Sequence, residues 1–244
     1  MLISRPGTKD STDVRAEVAA VRAALAAGTR TPRLVAGPAE LDDDRIVLAY
    51  DWIVSRPFAP GDWPSVARKL ARLAGASTEG LAALEWPTGL PDERWHDVLG
   101  ADRHATFTDR CEAAAAGIRA LTADRSGLVL CHADVQPANA LVDTDGHPWL
   151  IDFEYACLAP REWDPAKVVI LGRRFGDPPD VADVLSAWPD LDPSRLATCV
   201  EAQETLLVAW LARMALSGTA GAAGEARHRA RSLGESDVLW RHLS

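Results

Sequence analysis

No apolar run among the 244 residues reaches the ~20 that a membrane-spanning helix needs, so no membrane partner is expected. The start, Met1-Leu2-Ile3-Ser4-Arg5-Pro6-Gly7, lacks the basic-then-apolar layout of a signal peptide. Cysteine is sparse. Cys111, Cys131, Cys157 and Cys199 are scattered without a CxxC pair. They read as buried free thiols of a reducing cytoplasm, not as disulfides or a zinc site. Basic residues are outnumbered, 26 Lys and Arg against 35 Asp and Glu, for a net charge of −9. A nucleic-acid partner would want a basic face, so that class is disfavoured. A cationic ligand is compatible with the charge, although ordinary solubility accounts for it more simply. There is no GxGxxG, no Walker A pattern and no internal repeat.

What is present is an ordinary globular composition, 48% apolar and 25% charged, long enough for one sizeable core or two small lobes. Residues 2–5 read as a short strand ended by Pro6 and Gly7. Capping residues at 10–13 then lead into an amphipathic helix over 14–27, with Val14, Val18, Val21 and Leu25 on one stripe. Residues 32–36 and 45–52 are strand-like. Pro57, Pro60, Gly61 and Pro64 punctuate the chain, which places a boundary between a small β/α lobe (1–54) and a larger, mostly helical lobe (55–244).

Helices are expected at 65–73, 105–122, 164–171, 180–187, 194–216 and 222–240. The β-like exception is three short apolar runs, 127–131, 140–142 and 149–151. Asp143-Thr144-Asp145-Gly146 reads as the hairpin turn between the last two.

Those runs frame the segment that carries chemistry, Cys131-His132-Ala133-Asp134-Val135-Gln136-Pro137-Ala138-Asn139, continued by Ile151-Asp152-Phe153-Glu154. A strand, a polar loop, a hairpin and a second strand bring Asp134, Asn139 and Asp152 to one loop-lined edge. Phosphoryl transfer needs such groups, because positioning and charge neutralisation dominate that reaction. Mg²⁺ is a hard ion that takes oxygen ligands from one or two side chains plus phosphates. A further carboxylate at the attacking hydroxyl can orient it and accept its proton.

The spacing His132-x-Asp134-x-x-x-x-Asn139, followed by Asp152-Phe153, resembles the kinase catalytic loop and its metal-binding strand. With His-Ala-Asp, and Asp-Phe-Glu in place of Asp-Phe-Gly, it resembles the aminoglycoside phosphotransferase and choline kinase family. That resemblance implies an α+β, two-lobed, protein-kinase-like fold, ATP or GTP as donor, Mg²⁺, and a small hydroxylated acceptor. It assigns Asp134 as the catalytic base, Asn139 and Asp152 as metal ligands, and Glu154 as an auxiliary near the metal. His132 braces the loop and Asp164 anchors it. It places the hinge that reads the nucleotide base at Tyr50, Asp51 and Trp52, with Trp52 either beside the base or filling a core at the lobe junction.

The resemblance also implies two opening strands before the strand that carries a phosphate-gripping cation. This sequence begins at about the third strand, so the nucleotide lobe reads as shortened. The cation position falls at Ser4 or Arg5, with Arg5 the candidate and Lys9 a substitute, and Glu17 is the helix acid that would pair with it. Two readings stay open, an active small-molecule kinase and a weakly active or inactive binding protein on the same fold. For the acceptor, an aminoglycoside comes first. Asp177, Asp180, Asp183, Asp190, Asp192, Glu201 and Glu204 are either its ligands or solvated helix faces. A choline-like acceptor comes second, on the strength of Trp163, Trp188 and Trp210, which otherwise belong to the core.

Overall fold

The computed structural model describes residues 2–5, 11–40, 46–235 and 238–242. Lys9 and Arg45 lie outside them. Strand β1 (Leu2–Arg5) and strand β2 (Leu34–Glu40) both pair antiparallel with β3 (Ile46–Tyr50), giving the order β1-β3-β2. β2 is irregular in register near Gly37, whose φ is +105°. A Cβ there would stand 2.6 Å from the Val47 carbonyl oxygen, so the close approach of the two strands requires glycine. Helix α1 (Ser11–Ala26) buries Val14, Val18 and Val21 beside Leu48 and Tyr50, as its stripe predicts.

A two-residue strand β4 (Ser55–Arg56) joins the edge of the hairpin formed by β6 (Ala140–Asp143) and β7 (Pro148–Leu150). The hairpin turn falls where the sequence places it. Gly146 adopts φ +80° and its N–H donates to Asp143 O at 3.0 Å. Strand β5 (Val129–Cys131) pairs with β8 (Cys157–Ala159), opposing Cys131 and Cys157. β4 and β8 were not expected. Runs of two or three residues carry no periodicity to read.

The rest is helical. α2 (Trp63–Leu73) buries Trp63, Val66, Ala67, Leu70 and Leu73 along one face. α3 (Trp95–Leu99) was missed for its shortness, and Gly100 separates it from α4 (Ala101–Thr122). α4 starts four residues before its expected position, because its first turn is polar and shows no apolar stripe. α5 (Trp163–Ile170) runs on into a π-turn at Leu171–Phe175. α6 (Val181–Leu185), α7 (Pro193–Leu216) and α8 (Ala222–Ser232) follow. Asp192 caps α7, with its Oδ1 accepting from the N–H groups of Ser194 and Arg195. The expected helix over 222–240 stops at Ser232. The tail beyond returns Trp240 to the core, where its N–H donates to Arg174 O at 2.7 Å.

Two apolar clusters result. One joins α1, β3, α2, the strands around the polar loop and α6; the other joins α3, α4, α7 and α8. Helix α5 stands between them, giving Val168 to the first and Trp163, Ala166 and Ile170 to the second. Among the described residues no helix is long and apolar enough to cross a membrane.

In the π-turn, Arg174 is fully buried. It pairs with Glu204 of α7 through Nε–Oε1 (2.6 Å) and Nη2–Oε2 (3.1 Å), and also donates to Ser232 O and Val238 O. Glu204→Ala leaves that charge buried without its partner, and should cost about 3–5 kcal/mol in urea unfolding. Full stability in that variant would refute the pairing. All four cysteines are free thiols, and burial pushes Cys111, Cys157 and Cys199 up to about 12 and Cys131 well above its usual value. The native protein at pH 8 should therefore react slowly with a thiol reagent, and four equivalents should titrate only in denaturant.

Candidate active site

The polar loop after β5 is held from below by helix α5. Asp164, in the first turn of α5 and buried, accepts from the His132 N–H at Oδ2 (2.8 Å) and from the Ala133 N–H at Oδ1 (2.9 Å). Burial pushes this carboxyl above the ordinary carboxylate range, against the pull of His132 and of the two N–H groups. Ala133 has φ +64°, a left-handed conformation that costs an L-residue roughly 1–2 kcal/mol. The paired N–H···carboxylate bonds hold the chain in it.

His132 is 1% exposed and packs on Phe153, ring centroids 4.7 Å apart. Its Nε2 donates to Ile151 O (2.8 Å), and its Nδ1 accepts from the Asp134 N–H at 3.4 Å. The two bonds give Nε2 the donor role and Nδ1 the acceptor role. Ile151 N in turn donates to Asn139 O at 3.0 Å. The loop thus grips the residue before Asp152 from two sides, and Asp152 is the second non-glycine residue with φ +64°.

Asn139 donates through Nδ2 to Asp134 O (2.9 Å) and Asp134 Oδ2 (2.7 Å). The reversed amide would set oxygen against two oxygens, so Oδ1 is the atom left to serve as a ligand. Gln136 Nε2 also donates to Asp134 Oδ2, at 2.8 Å. Two donors on Oδ2 leave Oδ1 as the acceptor oxygen of Asp134. Asp152 follows Ile151, whose C=O and N–H are bonded to His132 and Asn139, so its backbone stands beside the loop that carries Asp134. The phenol of Tyr155 is pushed up by burial and by Glu154, and further by Asp134 and Asp152. An amide oxygen and a carboxylate are the hard donors that a divalent cation of the Mg²⁺ type takes, so the residues present fit such an ion. Gln136 and Tyr155 were not singled out from the sequence. Gln136 stood two positions from Asp134, whereas nothing local distinguished Tyr155.

On the sheet side, one pocket is lined by Glu17, Val21, Thr31, Pro32, Tyr50, Ile151, Asp152 and Phe153. Glu17 is buried and its Oε1 accepts from the Tyr50 hydroxyl at 2.9 Å. Arg5 ends β1 opposite Ile46. The backbone N–H of Asp51 is engaged with Arg33 O (2.9 Å), and its carboxylate stands 3.6 Å from Arg33 Nε. Trp52 is 73% exposed, which corrects the reading of it as core filler.

On the helical side, most of the acidic residues flagged for a polycation are committed elsewhere. Asp177 accepts from the Trp63 indole, Asp180 and Asp192 cap helices, and Glu204 pairs with Arg174. Asp183, Asp190 and Glu201 are exposed. Trp163 and Trp188 are buried in the core, and Trp210 lies exposed on α7. Trp240 carries the Arg174 and Arg229 guanidinium groups over its ring at 4.6 and 5.0 Å, so its face is already taken by internal cations. Among the described residues one group has metal-ligand spacing, Asp143, Asp145 and His147. It lies in the hairpin turn, where Asp143 already accepts from the Asp145 and His147 N–H groups and the Trp149 indole.

A polar loop strapped to a helix, beside a hairpin that delivers a second carboxylate, defines a kinase-like α+β fold. The chain belongs to the phosphotransferase enzyme family, whose model matches residues 3–199. Among solved structures it is similar to amicoumacin kinase hAmiN in complex with AMP-PNP, Ca²⁺ and Ami, with TM-score 0.69, 13% identity, and 97% of this chain and 82% of that one covered. Spectinomycin phosphotransferase, APH(9)-Ia, in complex with ADP and spectinomycin, matches at TM-score 0.63 and 15% identity over 97% and 82%. A choline/ethanolamine kinase family protein from Mesorhizobium loti matches at TM-score 0.64 and 16% identity over 96% and 82%. No curated protein matches the sequence.

Two variants test the loop. Ala133→Gly removes the left-handed penalty at the cost of glycine's chain entropy, so it should stabilise the fold by about 0.5–1 kcal/mol in urea unfolding. Asp164→Asn turns one acceptor into a donor against a backbone N–H and should cost about 1–3 kcal/mol. Faster hydrogen exchange at the His132 and Ala133 amides should accompany it. Unchanged protection at those two amides would show that Asp164 does not hold the loop.

Proposed function

We propose that this protein is an Mg²⁺-dependent kinase that moves the γ-phosphate of ATP or GTP to a hydroxyl of a small molecule. The observation that carries this reading is the convergence of Asp134, Asn139 and Asp152 through the hydrogen bonds among His132, Ile151, Asn139 and Asp134. Asp134 is the base. Its Oδ2 is occupied by Gln136 and Asn139, so Oδ1 orients the acceptor hydroxyl and takes its proton. Asn139 Oδ1 and Asp152 would hold the ion, with Glu154 beside them. When bound, Mg²⁺ supplies charge neutralisation at the phosphoryl oxygens.

His132 and Asp164 position the loop. Arg5 and Glu17 would serve the nucleotide phosphates, and Tyr50, Asp51 and Trp52 the base. With the Asp51 N–H engaged, base recognition falls to the other backbone groups of that segment. Nucleotide use is supported by the similar structures that hold ADP or AMP-PNP. An aminoglycoside and a choline-like amino alcohol head the acceptor panel, because kinases of such molecules share the fold.

The test is nucleoside diphosphate release from ATP or GTP with Mg²⁺ and the panel. Turnover should depend on Mg²⁺, and Asp134→Ala should lower it by about 10²–10⁴-fold. Equal turnover in that variant ends the assignment of Asp134 as base. Absence of Mg²⁺-dependent nucleotide binding by calorimetry ends the kinase reading.

A further inference from the structure

Asp134 and Gln136 flank Val135 in the catalytic loop. Val135 is buried in the core, whereas Asp134 and Gln136 are both half-buried. Gln136 is held at both ends. Its backbone is extended, with φ −161° and ψ 159°, and its C=O accepts from the Asn139 N–H at 3.0 Å. Its side-chain Nε2 donates to Asp134 Oδ2 at 2.8 Å. An ionised carboxylate oxygen only accepts, so the amide cannot be reversed without setting oxygen against oxygen. Gln136 Oε1 therefore has a fixed place, no more than about 5 Å from Asp134 Oδ2 by the covalent geometry of an amide. Among the described residues nothing donates to it.

The loop thus presents two hydrogen-bond acceptors close together, Asp134 Oδ1 and Gln136 Oε1. Each is the oxygen left over once the other half of its group is bonded. The first takes the reacting hydroxyl. The second calls for an O–H or N–H on the same molecule, and a group on the neighbouring carbon falls within that short span. A methylated oxygen or a quaternary nitrogen has no hydrogen to give, and it leaves Oε1 without a bond while shielding it from water.

We propose that Gln136 is a specificity-determining residue of the acceptor site, where its Oε1 accepts a hydrogen bond from an O–H or N–H on the carbon next to the reacting hydroxyl. The acceptor is then a 1,2-diol or an N–H-bearing 1,2-amino alcohol, not a quaternary ammonium alcohol. This inference rests on the phosphotransferase reading, but binding tests it separately from transfer.

The experiment uses the full chain with Mg²⁺ and AMP-PNP. Two matched pairs are titrated by ligand-observed NMR, ethylene glycol against 2-methoxyethanol and ethanolamine against choline. The members of each pair differ in the donor beside the hydroxyl. In at least one pair the donor-bearing member should bind roughly ten-fold more tightly. Gln136→Lys keeps a donor for Asp134 but has no acceptor oxygen, and Gln136→Ala removes both. In both variants the preference should fall to within about two-fold. The readout is a ratio within one protein, so a partly unfolded variant cannot imitate the loss, and a preference set by ligand size would persist.

If the preference is present, is lost in Gln136→Lys, and no phosphate is transferred to any probe, the inference stands and the kinase reading falls. If the methylated member of both pairs binds as tightly as its partner, or the preference survives in Gln136→Lys, the inference is overturned while the kinase reading is untouched. Failure of all four probes to bind also overturns it.

Discussion

The site depends on a buried carboxylate that holds two consecutive backbone N–H groups. Asp164 cannot be buried cheaply as an anion, and Ala133 cannot adopt a left-handed conformation without penalty. Each cost is offset by the other partner, because the bend at Ala133 presents the His132 and Ala133 N–H groups in parallel to the two carboxylate oxygens. The first turn of α5 adds its positive end to the same place. Loop and helix therefore fix each other, and the side chain that follows, Asp134, is aimed by a structure stiffer than an ordinary surface loop.

From that bend the constraint spreads by hydrogen bonds of about 3 Å. His132 carries it to Ile151, Asn139 returns it from Ile151 to Asp134, and Gln136 closes the ring on Asp134 Oδ2. The second strained residue, Asp152, is linked to the first through this ring. Strain of this kind persists only when neighbours over-determine the backbone, and here it lies at Asp152 and at the residue just before Asp134.

Helix α5 has a second role, as the partition between the two apolar clusters. Its Asp164 faces the loop, so one helix both divides the core and fixes the backbone before Asp134. The solved neighbours share this architecture at 13–16% identity, a level at which a fold persists while the residues lining a pocket are free to differ.

The hydrogen-bonded loop was legible in the residues because it is local. His132, Asp134 and Asn139 stand within eight positions, and Asp152 follows one hairpin later, so strand, turn and spacing could be read together. The stripe of α1 was legible for the same reason, since a helix period shows within a dozen residues. Short elements without a period, α3, β4 and β8, were not.

Most charges of the helical half could not be assigned in this way. In sequence, Asp177 and Glu204 are simply charged residues. Only the tertiary structure makes one the acceptor for the Trp63 indole and the other the partner of a buried arginine. A charge acquires its meaning from what lies across from it, and those two partners lie 114 and 30 positions away. The sequence by itself determined the order and spacing of His132, Asp134, Asn139 and Asp152. The packing of α5 against the loop decided which way they face.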